Sequence, residues 1–160
     1  MIHVRNAVPG DFALITTLIR KLADYEELLH EVRFDYELMF SNLFGERPAA
    51  EVLIGEVDGE AVGFALHFQT FSTFEGRPGI YLEDLFVEPH ARGRGLAKAL
   101  LARLAELVVE RGGARLEWSV LAWNELAMGF YRTIGACPVE GWERWRVEGD
   151  ALAALAGDGR

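Results

Sequence analysis

Cysteine and long apolar runs are scarce in this chain of 160 residues. Its single cysteine, Cys137, excludes an internal disulfide bond and any metal cluster built on cysteine. No apolar run of about 18 residues is present, and the first residues lack the basic and then apolar pattern of a secretory signal. We therefore expect a single domain over residues 1–160, located in the cytoplasm and without a membrane partner.

Positive charge is also in short supply. Lysine and arginine together number 16 against 25 aspartates and glutamates, which gives a formal net charge of −9. Such a chain lacks the general electrostatic field that attracts nucleic acid. No nucleic-acid partner is expected, and the charge is compatible with a small cationic substrate.

Several signatures of other chemistries are missing as well. Ser119 lies outside any Gly-x-Ser-x-Gly motif, so the sequence does not favour a hydrolase triad. The Gly-Lys-Ser/Thr sequence of a nucleotide-binding P-loop is absent. No metal is expected, because the four histidines are scattered without a metal-binding spacing: His3, His30, His67 and His90.

The most informative stretch of the chain is residues 80–111. Residues 80–87 are β-branched, aromatic or apolar apart from two acids, which predicts a largely buried strand. Pro89 has no N–H to donate and ends the strand, and leucines then recur at spacings of three and four from Leu96 onward. This spacing predicts a helix, which ends at Gly112.

A strand that leads through a glycine-rich turn into a helix N-terminus builds an anion site. The first N–H groups of a helix have no intrahelical partner, and the helix dipole adds partial positive charge. Gly93 and Gly95 let the backbone approach a ligand, and Arg92 and Arg94 supply guanidinium groups for phosphate. The glycines alone also fit a plain strand–helix turn. A dinucleotide-binding fingerprint would need glycine or alanine where Lys98 stands.

Periodicity and turn residues place the other elements. Strands are predicted at 2–7, 52–57, 61–71, 116–121 and 139–147, a polar loop at 72–79, and helices at 12–29, 36–44, 124–134 and in the tail. The strand–helix–strand crossover makes the strands at 80–87 and 116–121 parallel neighbours. The order predicts an α/β layered fold with a mixed sheet.

Three side chains are candidates for proton transfer. Glu83 and Asp84 are adjacent on a strand, so alternation points them to opposite faces. A carboxylate inside an apolar strand should have a raised pKa, which suits a general base; an ion pair with an arginine or exposure to solvent is the alternative. Tyr131 has a phenol that can donate a proton, and packing beside Phe130 is its alternative role.

Residues 92–97 read Arg-x-x-Gly-x-Ala, which resembles the acetyl-CoA signature of the GNAT superfamily of N-acetyltransferases. The resemblance covers nearly the whole chain and is closest to the diamine branch, the spermidine/spermine and thialysine N-acetyltransferases. It rests on KLADYEE near residue 25, FGERP at 44–48, GFA at 63–65, IYLEDLFV at 80–87, RGRGLA at 92–97, WNELAMGFY at 123–131 and EGW at 140–142. It implies a mixed, mostly antiparallel sheet with a central parallel strand pair and flanking helices.

The resemblance also implies roles for individual residues. The cosubstrate acetyl-CoA would be held by Leu85, Phe86, Val87, Arg92, Gly93, Arg94, Gly95, Leu96, Ala97, Lys98 and Asn124. Glu83 would be the general base, through a water, and Tyr131 the general acid to the thiolate. The amine pocket would be lined by Tyr25, Glu26, Asp84, Glu140 and Trp142. Direct transfer in a ternary complex and a homodimer are implied as well.

The chain departs from the polyamine enzymes in two places. Ser72 and Phe74 stand where those enzymes carry an acidic residue and a tryptophan, so a carboxylate for a distal ammonium is missing. Leu126 and Ala127 replace a Pro-Ser pair, which removes a hydroxyl near the cosubstrate.

The sequence therefore predicts an acetyl-CoA-dependent N-acetyltransferase that acts on a small primary amine, such as a polyamine, a diamine or a lysine analogue. The alternative is a non-catalytic sensor that binds acetyl-CoA. A sensor would be expected to lose the base or the acid, and both Glu83 and Tyr131 are present.

Overall fold

The computed structural model describes residues 1–158, and its centre is a five-stranded sheet whose strands lie in sequential order. The strands are β1 (Ile2–Asn6), β2 (Glu51–Val57), β3 (Glu60–Ser72), β4 (Arg77–Val87) and β5 (Leu116–Trp118). Strands β1 to β4 pair antiparallel, and β5 runs parallel to β4. The predicted mixed, mostly antiparallel sheet is confirmed.

Within residues 1–158 the chain forms five α-helices: α1 (Phe12–Tyr25), α2 (Tyr36–Phe44), α3 (Leu96–Glu110), α4 (Glu125–Thr133) and α5 (Gly149–Gly157). The chain divides into two compact units, Met1–Leu121 and a second that begins at Ala122. Within residues 1–158, no helix combines the length and the apolar character that crossing a membrane requires.

Two hairpins build the antiparallel part of the sheet. Asp58 and Gly59 have φ angles of 54° and 86°, the left-handed conformation that a two-residue hairpin turn requires. The second hairpin is longer than the sequence predicts, because β3 and β4 remain paired as far as Ser72 and Arg77. The predicted loop at 72–79 therefore shrinks to a four-residue turn.

Helices α1 and α2 cover one face of the sheet. Their apolar stripes meet inward-facing strand residues in one buried cluster: Ile15, Leu18, Leu22, Leu43, Val52, Ile54, Phe64, Leu66 and Phe86. The predicted extension of α1 to residue 29 is wrong. The helix ends at Tyr25 because Glu27, with φ of 61°, turns the chain out of the helical conformation.

Helix α3 packs on the sheet through a close approach at its first residue. Leu96 is 1% exposed and lies over Gly55 and Gly63, which are paired across β2 and β3. A Cβ atom added to Gly55 would lie 2.8 Å from Leu96 Cδ1, and one added to Gly63 would lie 3.1 Å from Leu96 Cδ2. The two glycines thus let the start of α3, and the turn before it, sit directly against the strands.

The second unit contains α4 and α5 and an irregular segment between them. Residues 139–147 were predicted as a strand, and this prediction is wrong. Gly141 has φ of 83° and interrupts an extended run, and within residues 1–158 the segment pairs with no strand. Trp142 and Trp145 are 78% and 87% exposed as a result. The strand predicted at 116–121 also ends early, at Trp118.

The packing of Leu96 gives a test by substitution. Gly55→Ala is expected to lower the free energy of unfolding by about 1–3 kcal/mol, because the new methyl group overlaps a buried side chain that has no room to move. Chemical denaturation measures the change. Gly10→Ala is the matched control, since a Cβ there meets no atom within 4 Å. Equal stability of the two variants would contradict this account of the packing.

Candidate active site

The C-terminal half of β4 is paired on one side only. Strand β5 pairs with β4 from Ile80 to Leu82, whereas β3 pairs with β4 as far as Val87. The N–H of Glu88 donates to the Val62 oxygen at 2.8 Å, on the β3 side. Because backbone N–H groups alternate along a strand, those of Val87 and Leu85 point to the opposite edge, where β5 has already ended.

This edge therefore offers two backbone donors in a row. The N–H of Phe86 lies between them and faces β3 instead, and the Phe86 side chain belongs to the buried cluster under α1. The family resemblance implies that Leu85, Phe86 and Val87 hold the cosubstrate. Of these three, Leu85 and Val87 direct their N–H groups to the open edge.

The predicted turn leads from β4 into α3. Gly93 and Gly95 have φ angles of 74° and 92°, and a Cβ on Gly93 would meet no atom within 4 Å. No side chain caps the helix, and Ala99 makes the first intrahelical bond, to the Gly95 oxygen at 3.0 Å. The N–H groups of residues 96–98 consequently have no intrahelical partner, and Lys98 is exposed in the same turn.

Both arginines of the turn are engaged by other protein groups. Arg92 Nε donates to the Val87 oxygen at 2.8 Å, and its guanidinium lies 5.1 Å from the Tyr25 ring centroid and 5.5 Å from that of Phe86. Arg94 Nη2 donates to Asp58 Oδ2 at 2.6 Å. Sequence reasoning missed Asp58, because the contact joins positions 36 residues apart and depends on how the β2–β3 hairpin meets the turn.

A β-bulge at Glu83 changes the faces of β4. Leu66 pairs with Asp84 while the next residue, His67, pairs with Leu82, so Glu83 is one residue too many. The regular alternation from which the sequence predicts opposite faces for Glu83 and Asp84 is interrupted at this extra residue. Asp84 lies on the face of Leu66, under α1, and Leu82 on the other face.

Three carboxylates meet at the C-terminal end of α1: Glu26, Glu83 and Asp84, called here the carboxylate cluster. Burial, as the largest cause, and the charges of Glu83 and Glu26 together raise the pKa of Asp84 to about 7. Burial also raises the pKa of Glu26. Glu83 is exposed. The predicted raised pKa is thus found at Asp84.

The ion pairs seen in the described part of the chain lie outside this cluster. Among the ion pairs of residues 1–158, none involves any of its three members. Tyr25, 39% exposed, ends α1 directly before Glu26 and places an aromatic ring next to the cluster in sequence. Unpaired carboxylates with an aromatic neighbour form a site suited to a cationic amine.

The remaining predicted site residues belong to the second unit. Asn124 caps α4, its Oδ1 accepting from the Ala127 N–H at 3.2 Å. Tyr131 lies in the last turns of α4, half-buried, with its ring centroid 5.6 Å from that of Phe130. Glu140 and Trp142 are exposed in the irregular segment that follows.

Comparison with known proteins identifies relatives over nearly the whole chain. A model of the acetyltransferase (GNAT) family matches residues 15–136. Thialysine N-epsilon-acetyltransferase of Bos taurus is 38% identical over 98% of both chains. L-ornithine N5-acetyltransferase of Arabidopsis thaliana is 28% identical over 96% of this chain and 87% of its own. An integron cassette protein of V. cholerae has a TM-score of 0.78 at 25% identity, with 97% of each chain covered.

The raised pKa of Asp84 has a consequence for stability. In the folded state the group binds its proton up to about pH 7, whereas the ordinary value is 3.8. The folded state therefore holds more protons between these values, and the stability of the wild type falls as pH rises through this window and stays low above it.

Asp84→Asn is expected to remove this loss of stability at neutral and higher pH. Above pH 7 the variant should be more stable than the wild type by roughly 2 kcal/mol, because no charge is held in a half-buried site. Urea denaturation from pH 4 to pH 8 measures the slope. Glu83→Gln, on the exposed neighbour, should keep most of it. An unchanged slope in Asp84→Asn would show that Asp84 titrates normally.

Proposed function

The chain belongs to the acetyltransferase (GNAT) family and is an N-acetyltransferase, and on that basis we propose that it transfers an acetyl group from acetyl-CoA directly to the primary amine of a small molecule. The observation that carries this proposal is the carboxylate cluster, because its members Glu83 and Asp84 directly precede Leu85 on the part of β4 that β5 does not pair. An ammonium group bound there would lie next to the backbone donors of Leu85 and Val87.

The residues of β4 and the turn fit acetyl-CoA, which would supply the acetyl group as an activated thioester. The N–H groups of Leu85 and Val87 face an edge without a strand partner and would donate to an acyl oxygen as negative charge builds on it. Gly93 leaves open space at the turn, and the uncapped start of α3 offers N–H groups to phosphate. Lys98 adds a cation in the same turn.

Asp84 is the group we propose as proton acceptor. An alkyl ammonium with an ordinary pKa of about 10 must lose a proton before it can attack, and a carboxylate with a pKa of about 7 is better matched to this task than one of ordinary acidity. Glu83, exposed beside it, would attract the cation and raise the pKa of Asp84. This assignment reverses the two roles that the family resemblance implies.

The roles of four residues beyond Ala122 rest on the family resemblance alone. By the family resemblance, Tyr131 would hold the proton that the leaving thiolate takes up, and Asn124 would contact the pantetheine arm with its amide nitrogen. Glu140 and Trp142 would extend the amine pocket. A homodimer in the cytoplasm, without a nucleic-acid or membrane partner, is part of the same proposal.

We propose a lysine-like amine, not a long polyamine, as the substrate. Ser72 stands where the polyamine enzymes carry an acid, and its Oγ accepts a hydrogen bond from Arg115 Nη2 at 2.8 Å. A guanidinium at this position disfavours a distal ammonium. Two of the relatives are named for thialysine and for L-ornithine, which agrees with this choice.

A thiol-release assay with acetyl-CoA tests the proposed function. Thialysine, lysine, ornithine, putrescine, spermidine and short peptides serve as acceptors. We expect turnover of the amino acids to exceed that of spermidine by at least about tenfold in kcat/KM, a difference that one charged contact readily produces. Preference for spermidine would contradict the assigned substrate class. Absence of turnover on every amine would contradict the activity itself.

The proton acceptor can be identified from the pH dependence of kcat/KM. Wild-type activity should rise with pH and level off above about pH 7, as Asp84 loses its proton. Asp84→Asn should lower activity about 100-fold or more and remove this inflection. Glu83→Gln should keep the inflection but move it to lower pH, because a like charge has been removed. If Glu83→Gln abolished the inflection instead, Glu83 would be the base.

A further inference from the structure

The β2–β3 hairpin touches the phosphate-binding turn through one ion pair. Asp58 occupies the first position of the hairpin turn, and its Oδ2 accepts from Arg94 Nη2 at 2.6 Å. Both side chains are about half exposed, at 58% and 50%. The Met1 amino group donates to the other carboxylate oxygen, Oδ1. Arg94 is flanked by Gly93 and Gly95, both in the left-handed conformation.

We propose that Asp58 is a positioning residue that competes with the pyrophosphate of acetyl-CoA for Arg94 and thereby lowers the affinity of the turn for the cosubstrate. The inference rests on the proposed function, because it assumes that the turn binds this pyrophosphate. It adds a residue from outside the signature motif that sets how tightly the motif binds.

The geometry indicates that Asp58 competes with the pyrophosphate for Arg94 and does not prepare Arg94 to bind it. One terminal nitrogen of Arg94, Nη2, donates a hydrogen bond to Asp58, and this bond directs the guanidinium toward the hairpin. The pKa of Asp58 is held at about 2 by the Met1 amino group and Arg94, so the carboxylate stays ionised at every pH at which the enzyme would be assayed. Because the ion pair is exposed, exchanging it for a phosphate costs little.

The test is the dissociation constant of CoA, measured by titration calorimetry on the full chain at low salt. Asp58→Asn is the informative variant, because asparagine accepts the left-handed turn conformation before glycine at least as well as aspartate does. We expect CoA to bind this variant about two- to fivefold more tightly, because the free energy of an exposed ion pair corresponds to a change in affinity of this size. The gain should shrink in high salt.

Two further variants separate the mechanism from general charge effects. Glu60→Gln removes the same charge two residues along the hairpin strand, where the carboxylate faces His90 at 3.8 Å, and should leave the affinity unchanged. In an Arg94→Ala background, Asp58→Asn should have no effect, because the competition acts through Arg94. Melting temperatures of all variants exclude a difference in folding as the cause.

Each other outcome overturns the inference in its own way. Weaker CoA binding by Asp58→Asn at an unchanged melting temperature would mean that Asp58 prepares Arg94 for the ligand. An equal gain in Glu60→Gln, or a gain that persists without Arg94, would mean a field effect with no role for the contact. If the wild type binds CoA and Asp58→Asn changes nothing, the inference alone is overturned. If the wild type does not bind CoA, the proposed function is overturned with it.

Discussion

Glu83 is the extra residue of the bulge in β4. Its position determines that Asp84 lies in the layer beneath α1. Before it, β4 is paired on both sides; after it, only β3 remains as a partner. The bulge therefore coincides with the place where β5 ends, and Asp84 follows immediately on the face of the α1 core. The half-buried Asp84 and the backbone donors of Leu85 and Val87 thus follow one another along β4, directly after the bulge and beyond the end of β5.

The electrostatics of the site follow from where the arginines are held. Arg92 is fixed by the Val87 carbonyl and lies over Tyr25 and Phe86, so it joins α1 to the turn without pairing with the carboxylate cluster. Arg94 is drawn to the hairpin. Neither arginine forms an ion pair with the three carboxylates at the end of α1, and holding the half-buried Asp84 ionised lowers the stability at neutral pH.

Much of this architecture can be predicted from the sequence, because it depends on residues that are close together along the chain. Leucine spacing defines α3, Asp58-Gly59 defines the hairpin, and the glycines around Arg94 define the turn. The errors arise where non-local pairing decides. The bulge at Glu83 shows only in the register against Leu66 and His67. Residues 139–147 have strand-like composition, but a strand needs a neighbour to pair with, and within residues 1–158 it has none. The partner of Arg94 is equally a product of the tertiary fold.

The half-buried position of Asp84 also couples ligand binding to the buffer. Near pH 7 the resting protein carries a fraction of a proton on this group. Under the proposed function, an amine cation arriving in the carboxylate cluster would favour the ionised form, so that fraction would be released into solution. The heat of amine binding then includes the ionisation heat of whatever buffer takes up the proton. The apparent affinity for the amine would then rise with pH until Asp84 is fully ionised, because binding is coupled to the release of a proton.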